Sequence, residues 1–494
     1  MNRIKTLLGV LCIACCGAAM SQTDDDKFRA EFEAFKQQAQ NEFNTFKHDA
    51  EKEYEEFRRK ANEEYANFMA TPWTFFESNE AVEAPKSPEP PVPEIKKPEE
   101  PKQEEVELPF EVVIPEPERC AMPEPPVPIK APVVPAKNIL KFSYYNTECS
   151  LGMDDDIKFS LDDVSEKAVS DAWKKLSNKQ VDDFVANCLQ LRKDMQLCDW
   201  GYITMLDTIA INIFGKKTNE GVVLQMYVLT QSGYNVRIAR TDNKLVLLLP
   251  TKEVLYNYTY LMIDNERYYV IDQTDADGFM VFNHAFPKEK MSSLQIRTIP
   301  NLVNVHTNAK NFESEAYPDV KVAVAVNKNL VDFYNSYPLG DWNNYVSASL
   351  SKDVKDVLYP MLKKQIEGKT QEEAANILIN FVQTAFEYKV DDEQFGYERP
   401  LFADEVFYYP YSDCEDRSIL FAVLVNELMG LEVVLLHYPG HLATAVRFSN
   451  DIVGDYINLD GDKYIVCDPT YIGASIGEAM ERYKNEQAKV VKIK

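Results

Sequence analysis

The 494-residue chain predicts an α+β protein, on three observations. From Asn138 onward, helical and strand patterns alternate without a long run of either. One order of features, an apolar helix closed by glycine followed by strands that end in aspartate, occurs twice. The composition, 45% hydrophobic with a formal charge of −26, supplies apolar material for several cores and no basic groove. That charge argues against a nucleic-acid partner, because phosphate binding needs a cationic face.

The chain starts MNRIKTLLGVLCIACCGAAMSQ: basic Arg3 and Lys5, an apolar run from Leu7 to Ala14, then small residues. This is the layout of a secretory signal, and the run is too short to span a bilayer. Cleavage after Ser21 places Ala19 and Ser21 at the small-residue positions a signal protease reads, so residues 1–21 are expected to be removed and the protein exported, periplasmic or secreted. Lipid attachment at Cys15 or Cys16 is the alternative, and a membrane partner is expected only in that lipidated form.

Residues 24–75 are expected to form one long amphipathic helix. An eleven-residue repeat runs EFEAFKQQAQN, EFNTFKHDAEK, EYEEFRRKANE, EYANFMATPWT, with aromatics at Phe32, Phe43, Tyr54 and Tyr65 and again at Phe35, Phe46, Phe57 and Phe68. Eleven residues in three turns keep the stripe nearly straight along a helix and favour a right-handed supercoil. Packing on a globular domain, self-association as a coiled coil and membrane-surface binding are the three readings of the stripe; the excess of acids disfavours anionic lipid. Residues 76–137, rich in Pro and Glu, are expected to be an extended spacer.

The two ordered segments are expected to be related domains, 138–300 and 301–494. In the first, Trp200 and Tyr202 precede the helix VVLQMYVLTQSG, the strand NVRIAR and the closing strand YYVIDQT. In the second, Phe386 and Tyr388 precede SILFAVLVNELMG, EVVLLH and YIVCDPT. The interval from helix-closing glycine to aspartate is nearly the same, Gly233 to Asp272 and Gly430 to Asp468. Aligning the glycines puts Lys217 to Asn219 where Cys414 lies and Leu245 or Val246 near the place of His441, while Asp272 is retained. The first copy is therefore expected to be degenerate and non-catalytic.

Chemistry concentrates in YYPYSDCEDRSILFAVLVNELMG. Ser412 with Glu415 reads as a capping box, Gly430 as the stop, and Cys414 falls in the first helical turn. There the helix dipole favours a thiolate, while Asp413, Glu415 and Asp416 oppose it. His441 opens the next strand pattern after Pro439-Gly440, and Asp468 ends a strand before Pro469, in position to orient an imidazole. His437 and Cys467 read as structural.

These residues resemble the transglutaminase-like superfamily of papain-like folds: a DCED helix start, a histidine opening a strand, and a DPT strand end, over about Lys369 to Gly473. The resemblance implies Cys414 as nucleophile, His441 as base and Asp468 as its orienting carboxylate, with thioester chemistry on amides. Tyr409 and Tyr411 are the expected oxyanion candidates, after the backbone N–H of Cys414. The expected function is a thiol hydrolase or acyltransferase on a peptide or protein substrate, a cysteine protease ahead of a crosslinking enzyme; the alternative is a non-catalytic envelope scaffold. No cofactor and no metal is expected. After residue 21 six cysteines remain, and Cys188 with Cys198 is the expected disulfide.

Overall fold

The computed structural model describes residues 22–85, 92–97, 105–114, 138–272 and 274–493. The expected signal, residues 1–21, lies outside them. The chain separates into two units, Met1–Ala61 and Asn62–Lys494. Thus the two related segments belong to one compact unit, where two domains meeting at residue 300 were expected.

Helix α1 runs Gln22–Met69 and stops short of the expected residue 75. The cause is Pro72, which disfavours helical backbone at Thr71. The Trp73 indole then donates to the Met69 carbonyl at 3.0 Å, and the chain enters strand β1, Thr74–Glu77.

Nor is 76–137 wholly a spacer. Within it, Phe110–Ile114 forms strand β2, Ile95 bridges Ile472, and Glu107 bridges Tyr456. Leu108 is buried in a core with Val434, Ala443 and Tyr483. The alternation Val106, Leu108, Phe110, Val112, Ile114 is a strand signal that the surrounding Pro and Glu composition masks.

The compact unit is built on two six-stranded sheets. In the first half come helices α2 (Asp199–Phe214) and α3 (Asn219–Gln231), then β3 (Arg237–Thr241), β4 (Lys244–Pro250), β5 (Tyr260–Ile263), β6 (Glu266–Val270) and β7 (Gly278–Phe282). In the second half come α4 (Gln371–Thr384) and α5 (Cys414–Met429), then β8 (Glu432–Tyr438), β9 (His441–Arg447), β10 (Tyr456–Leu459), β11 (Asp462–Cys467) and β12 (Ala488–Lys492). The sheet orders are β1-β7-β3-β4-β6-β5 and β2-β12-β8-β9-β11-β10.

Five strands therefore follow one path in both sheets: a hairpin, a second hairpin whose later strand pairs with the first, and a last strand antiparallel to the opening one. In each half the two helices pack together and the second packs on the first hairpin. Only the sixth strand differs, β1 joining antiparallel and β2 parallel. The aromatics that precede the second helix differ in setting. Trp200 and Tyr202 lie in the first turn of α2, whereas Phe386 and Tyr388 follow the end of α4.

The long α5 is buried from Cys414 through Val425, which accounts for its nearly unbroken apolar sequence. Gly430 ends it in the left-handed region at φ 67°, a conformation that glycine adopts without a Cβ clash.

Candidate active site

Helix α5 begins at Cys414 with Asp413 as its N-cap, and Asp416 accepts the Asp413 N–H at 3.3 Å. The capping box sits one residue beyond the expected Ser412 and Glu415. Ser412 is occupied elsewhere: it pairs with Tyr388 in a two-residue parallel ladder, and its hydroxyl accepts from Arg417 Nε at 3.2 Å.

Cys414 is thereby held in the first turn, where the helix N-terminus favours negative charge. The Leu442 N–H donates to its Sγ at 3.2 Å. One turn along, Ser418 Oγ donates to the Leu442 carbonyl at 2.8 Å. Two side chains of one helix face thus clamp both backbone groups of Leu442, fixing the start of β9 against the start of α5. His441 is the residue immediately before this clamp.

Nε2 of His441 lies 2.7 Å from Asp468 Oδ2. Asp468 is in turn fixed, its Oδ1 accepting the Thr470 and Tyr471 N–H groups at 2.9 and 3.2 Å. The Tyr483 ring stacks on the imidazole at 4.9 Å, nearly parallel at 7°. Cys414, His441 and Asp468 are all buried, so the imidazole–carboxylate bond operates in a low-dielectric, water-poor setting where its electrostatic strength is raised. Burial also pushes the Tyr483 hydroxyl up to about 12.

Acids crowd the thiol. Glu415 Oε2 is 3.3 Å from Cys414 Sγ, a contact in which a protonated thiol donates to the carboxylate. Two overlapping groups, Asp391 with Asp413 and Asp416, and Asp391 with Glu398 and Glu415, bring their carboxyl oxygens within 4.8 Å of one another. These are the described residues able to hold a cation near the site. The Arg399 and Leu401 N–H groups donate into them, the latter to Asp416 at 2.7 Å.

Arg417 is the residue that sequence reasoning missed. Its buried guanidinium donates to Ser412 Oγ, to the Gln383 carbonyl at 3.1 Å and to the Phe386 carbonyl at 2.7 Å, and lies over the Tyr388 ring. Burial pushes its pKa down to about 10, against the pull of Tyr388, Asp413 and Asp416. Gln383 continues the scaffold, its Nε2 donating to the carbonyls of Asp468, Tyr471 and Ala474. A lone arginine opening an apolar helix was the available signal for Arg417; nothing local marked Gln383 or Ser418.

The expected oxyanion tyrosines are placed otherwise. Tyr409 donates its hydroxyl to Asn335 Oδ1 at 2.9 Å and lies under Arg399. Tyr411 is held by its backbone to Gln394, with Lys389 over its ring.

The expected Cys188–Cys198 disulfide is absent: Cys149, Cys188, Cys198, Cys414 and Cys467 are all reduced, and Cys120 lies outside the described residues. Cys188 is enclosed in the core, and Cys198 caps α2 by accepting the Gly201 N–H at 3.5 Å. His437 lines a cleft with Trp342, Asp341, Glu398 and Lys489, where burial pushes its imidazole down to about 4.

The first half preserves the scaffold without the chemistry. Its Leu245 N–H donates to Asn219 Oδ1 at 2.9 Å, the same helix-start to strand-start contact as Leu442 to Cys414. Asn219 therefore stands in the place of Cys414, within the expected range, and Lys244 in the place of His441, one residue before the expected Leu245. Asp272 is ion-paired with Lys217, which also reaches Asp207 at 3.6 Å.

Comparison with protein-family models, with curated proteins and with solved structures finds no match to this chain. Fold and site define a class at the coarser level: an α+β protein with a repeated two-helix, five-strand unit, its second copy carrying a buried cysteine at a helix start beside a histidine–aspartate pair. No helix among the described residues is long and apolar enough to cross a membrane.

Proposed function

We propose that the chain is an exported, transglutaminase-like thiol hydrolase or acyltransferase acting on peptide-like amides. The observation that carries the reading is the His441–Asp468 bond adjoining the Leu442 clamp on Cys414. Asp468 fixes Nε2 of the imidazole as the protonated nitrogen, so Nδ1 serves as the base.

In this reading Nδ1 of His441 takes the Cys414 proton and the thiolate attacks the amide carbonyl. The tetrahedral oxyanion is met by the backbone N–H of Cys414 at the positive end of α5. His441 returns the proton to the departing amine, leaving a thioester. Water, deprotonated by His441, then releases the acid and restores the thiol; an amine in its place gives acyl transfer. Hydrolysis is favoured because water is always present as acceptor. The first half, with Asn219 and Lys244, has no thiol nucleophile and supports the second by packing.

A second reading, a non-catalytic scaffold, is favoured by one observation: Cys414 is only 2% exposed and its sulfur faces the Glu415 carboxylate. An acyl-transferring, cysteine-directed probe separates the two. Covalent labelling that vanishes in Cys414→Ala and in His441→Ala supports the enzyme. A folded protein that never labels, or labels equally after Cys414→Ala, overturns it.

A further inference from the structure

The aromatic stripe of α1 is an exposed apolar feature that the site does not use. Phe32, Phe35, Phe43, Phe46, Tyr54 and Phe57 are each 42–71% exposed. With Ala39 and Ala50 they recur at intervals of three, four and four residues, which at the repeat's own period of about 3.67 residues per turn confines them to an arc of about 65°. The fourth repeat shows what such a position does when covered. Tyr65 is buried, its ring 4.8 Å from Trp173 and 5.1 Å from Phe286.

The flanks say what covers the rest. The residue before each leading aromatic is acidic, Glu42 and Glu53; the residue after each second aromatic is basic, Lys36, Lys47 and Arg58. These positions lie about 60–80° to either side of the stripe, one sign on each edge. When two such helices pack parallel and in register, the acidic edge of one meets the basic edge of the other, with a five-residue offset as in coiled-coil flank pairs. Glu42 then faces Lys47 of the second copy, and Glu53 faces its Arg58. Antiparallel packing sets acid on acid and base on base.

We propose that α1 pairs through this stripe with α1 of a second copy of the chain, parallel and in register. Twelve rings across two copies, each giving up about 100 Å², bury about 1,200 Å², the lower bound for a stable interface. A membrane surface fits less well, because one whole edge of the stripe is acidic and interfacial helices carry basic polar faces.

The test uses the full chain. Sedimentation at about 10 μM is expected to give twice the chain mass, and Phe43→Asp with Phe46→Asp to return the monomer with an unchanged circular dichroism spectrum. Ala39→Cys, at the centre of the stripe, is expected to form an interchain disulfide on mild oxidation, since residue 39 of each copy then adjoins its counterpart. Glu42→Lys with Glu53→Lys is expected to weaken association by about tenfold or more, and adding Lys47→Glu with Arg58→Glu to restore it. A monomer, a dimer untouched by the aspartates, a dimer in which residue 39 fails to link, or a monomer that floats with phosphatidylglycerol vesicles overturns the proposal.

Discussion

Arg417→Met keeps the length and apolar stem of a buried side chain while removing its three donated hydrogen bonds. Ser412 Oγ and the carbonyls of Gln383 and Phe386 lose their donor, and Asp413 and Asp416 lose the nearest buried cation on α5. Each orphaned interior acceptor costs about 1–3 kcal/mol. Relief of the arginine's own desolvation, visible in a pKa pushed down to about 10, offsets part of that sum. The balance expected from removing one member of a buried charged network is about 3–5 kcal/mol. A thermal melt is expected to fall by roughly 3–6 °C, because the unfolding entropy of so large a unit spreads the loss over a small temperature shift.

Stability alone does not distinguish a prop from a charge that tunes the thiol, so alkylation of Cys414 against pH is the second readout. Loss of a cation disfavours the thiolate, and the Met variant's labelling curve is expected to move to higher pH. Arg417→Lys, which keeps the charge and loses the planar fork, is expected to lose stability while holding the curve near its original place. A Met variant that loses less than about 1 kcal/mol and alkylates on the wild-type curve refutes the reasoning.

Two further predictions follow from buried carboxylates. Asp468→Asn leaves the shape of the site and removes the charge that holds the imidazole, so cysteine-directed acylation is expected to fall by about 10³-fold or more without loss of fold; equal rates sink the triad. Burial pushes Asp404, which accepts from the Ser351 N–H and hydroxyl, up to about 6. The folded state then holds a proton that the unfolded chain releases near pH 4, so this group's stabilisation is present at low pH and is lost as pH rises through 6. Asp404→Asn is expected to flatten that fall, of about 2–3 kcal/mol, in denaturant titrations between pH 4 and 7.

Local chemistry was legible where one residue type has one use. Gly430 as a left-handed stop, a cysteine placed by the helix that follows it, and a histidine after Pro439-Gly440 are each dictated within a few residues. The cap moved by one because Ser412 and Asp413 both suit it, and a partner about 25 residues away, the Phe386–Tyr388 segment, decides between them. Strand β2 went unread for a related reason: the prolines on either side dominate the composition, while its pairing edge on β12 lies over three hundred residues distant. Arg417, Gln383 and Ser418 act through backbone groups brought together only by the fold, and no spacing rule marks such contacts.

The first half of the chain supplies the control that a single site lacks. Asn219 and Cys414 make the same contact, each accepting from the backbone N–H that opens the second strand of a hairpin. That contact is therefore a property of the scaffold, and a cysteine found making it is not marked as a nucleophile on that account. What differs lies beyond it. In the first half the strand-end carboxylate, Asp272, is partly exposed and held by a lysine that water also reaches. In the second the carboxylate is buried, fixed by two backbone donors, and bonded to an imidazole under a tyrosine ring. Burying an ionisable pair carries a desolvation penalty that folding alone gives no reason to accept, since the other copy does without it. The weight of the catalytic reading accordingly rests on His441 and Asp468 more than on Cys414, and Asp468→Asn is the substitution on which it stands or falls.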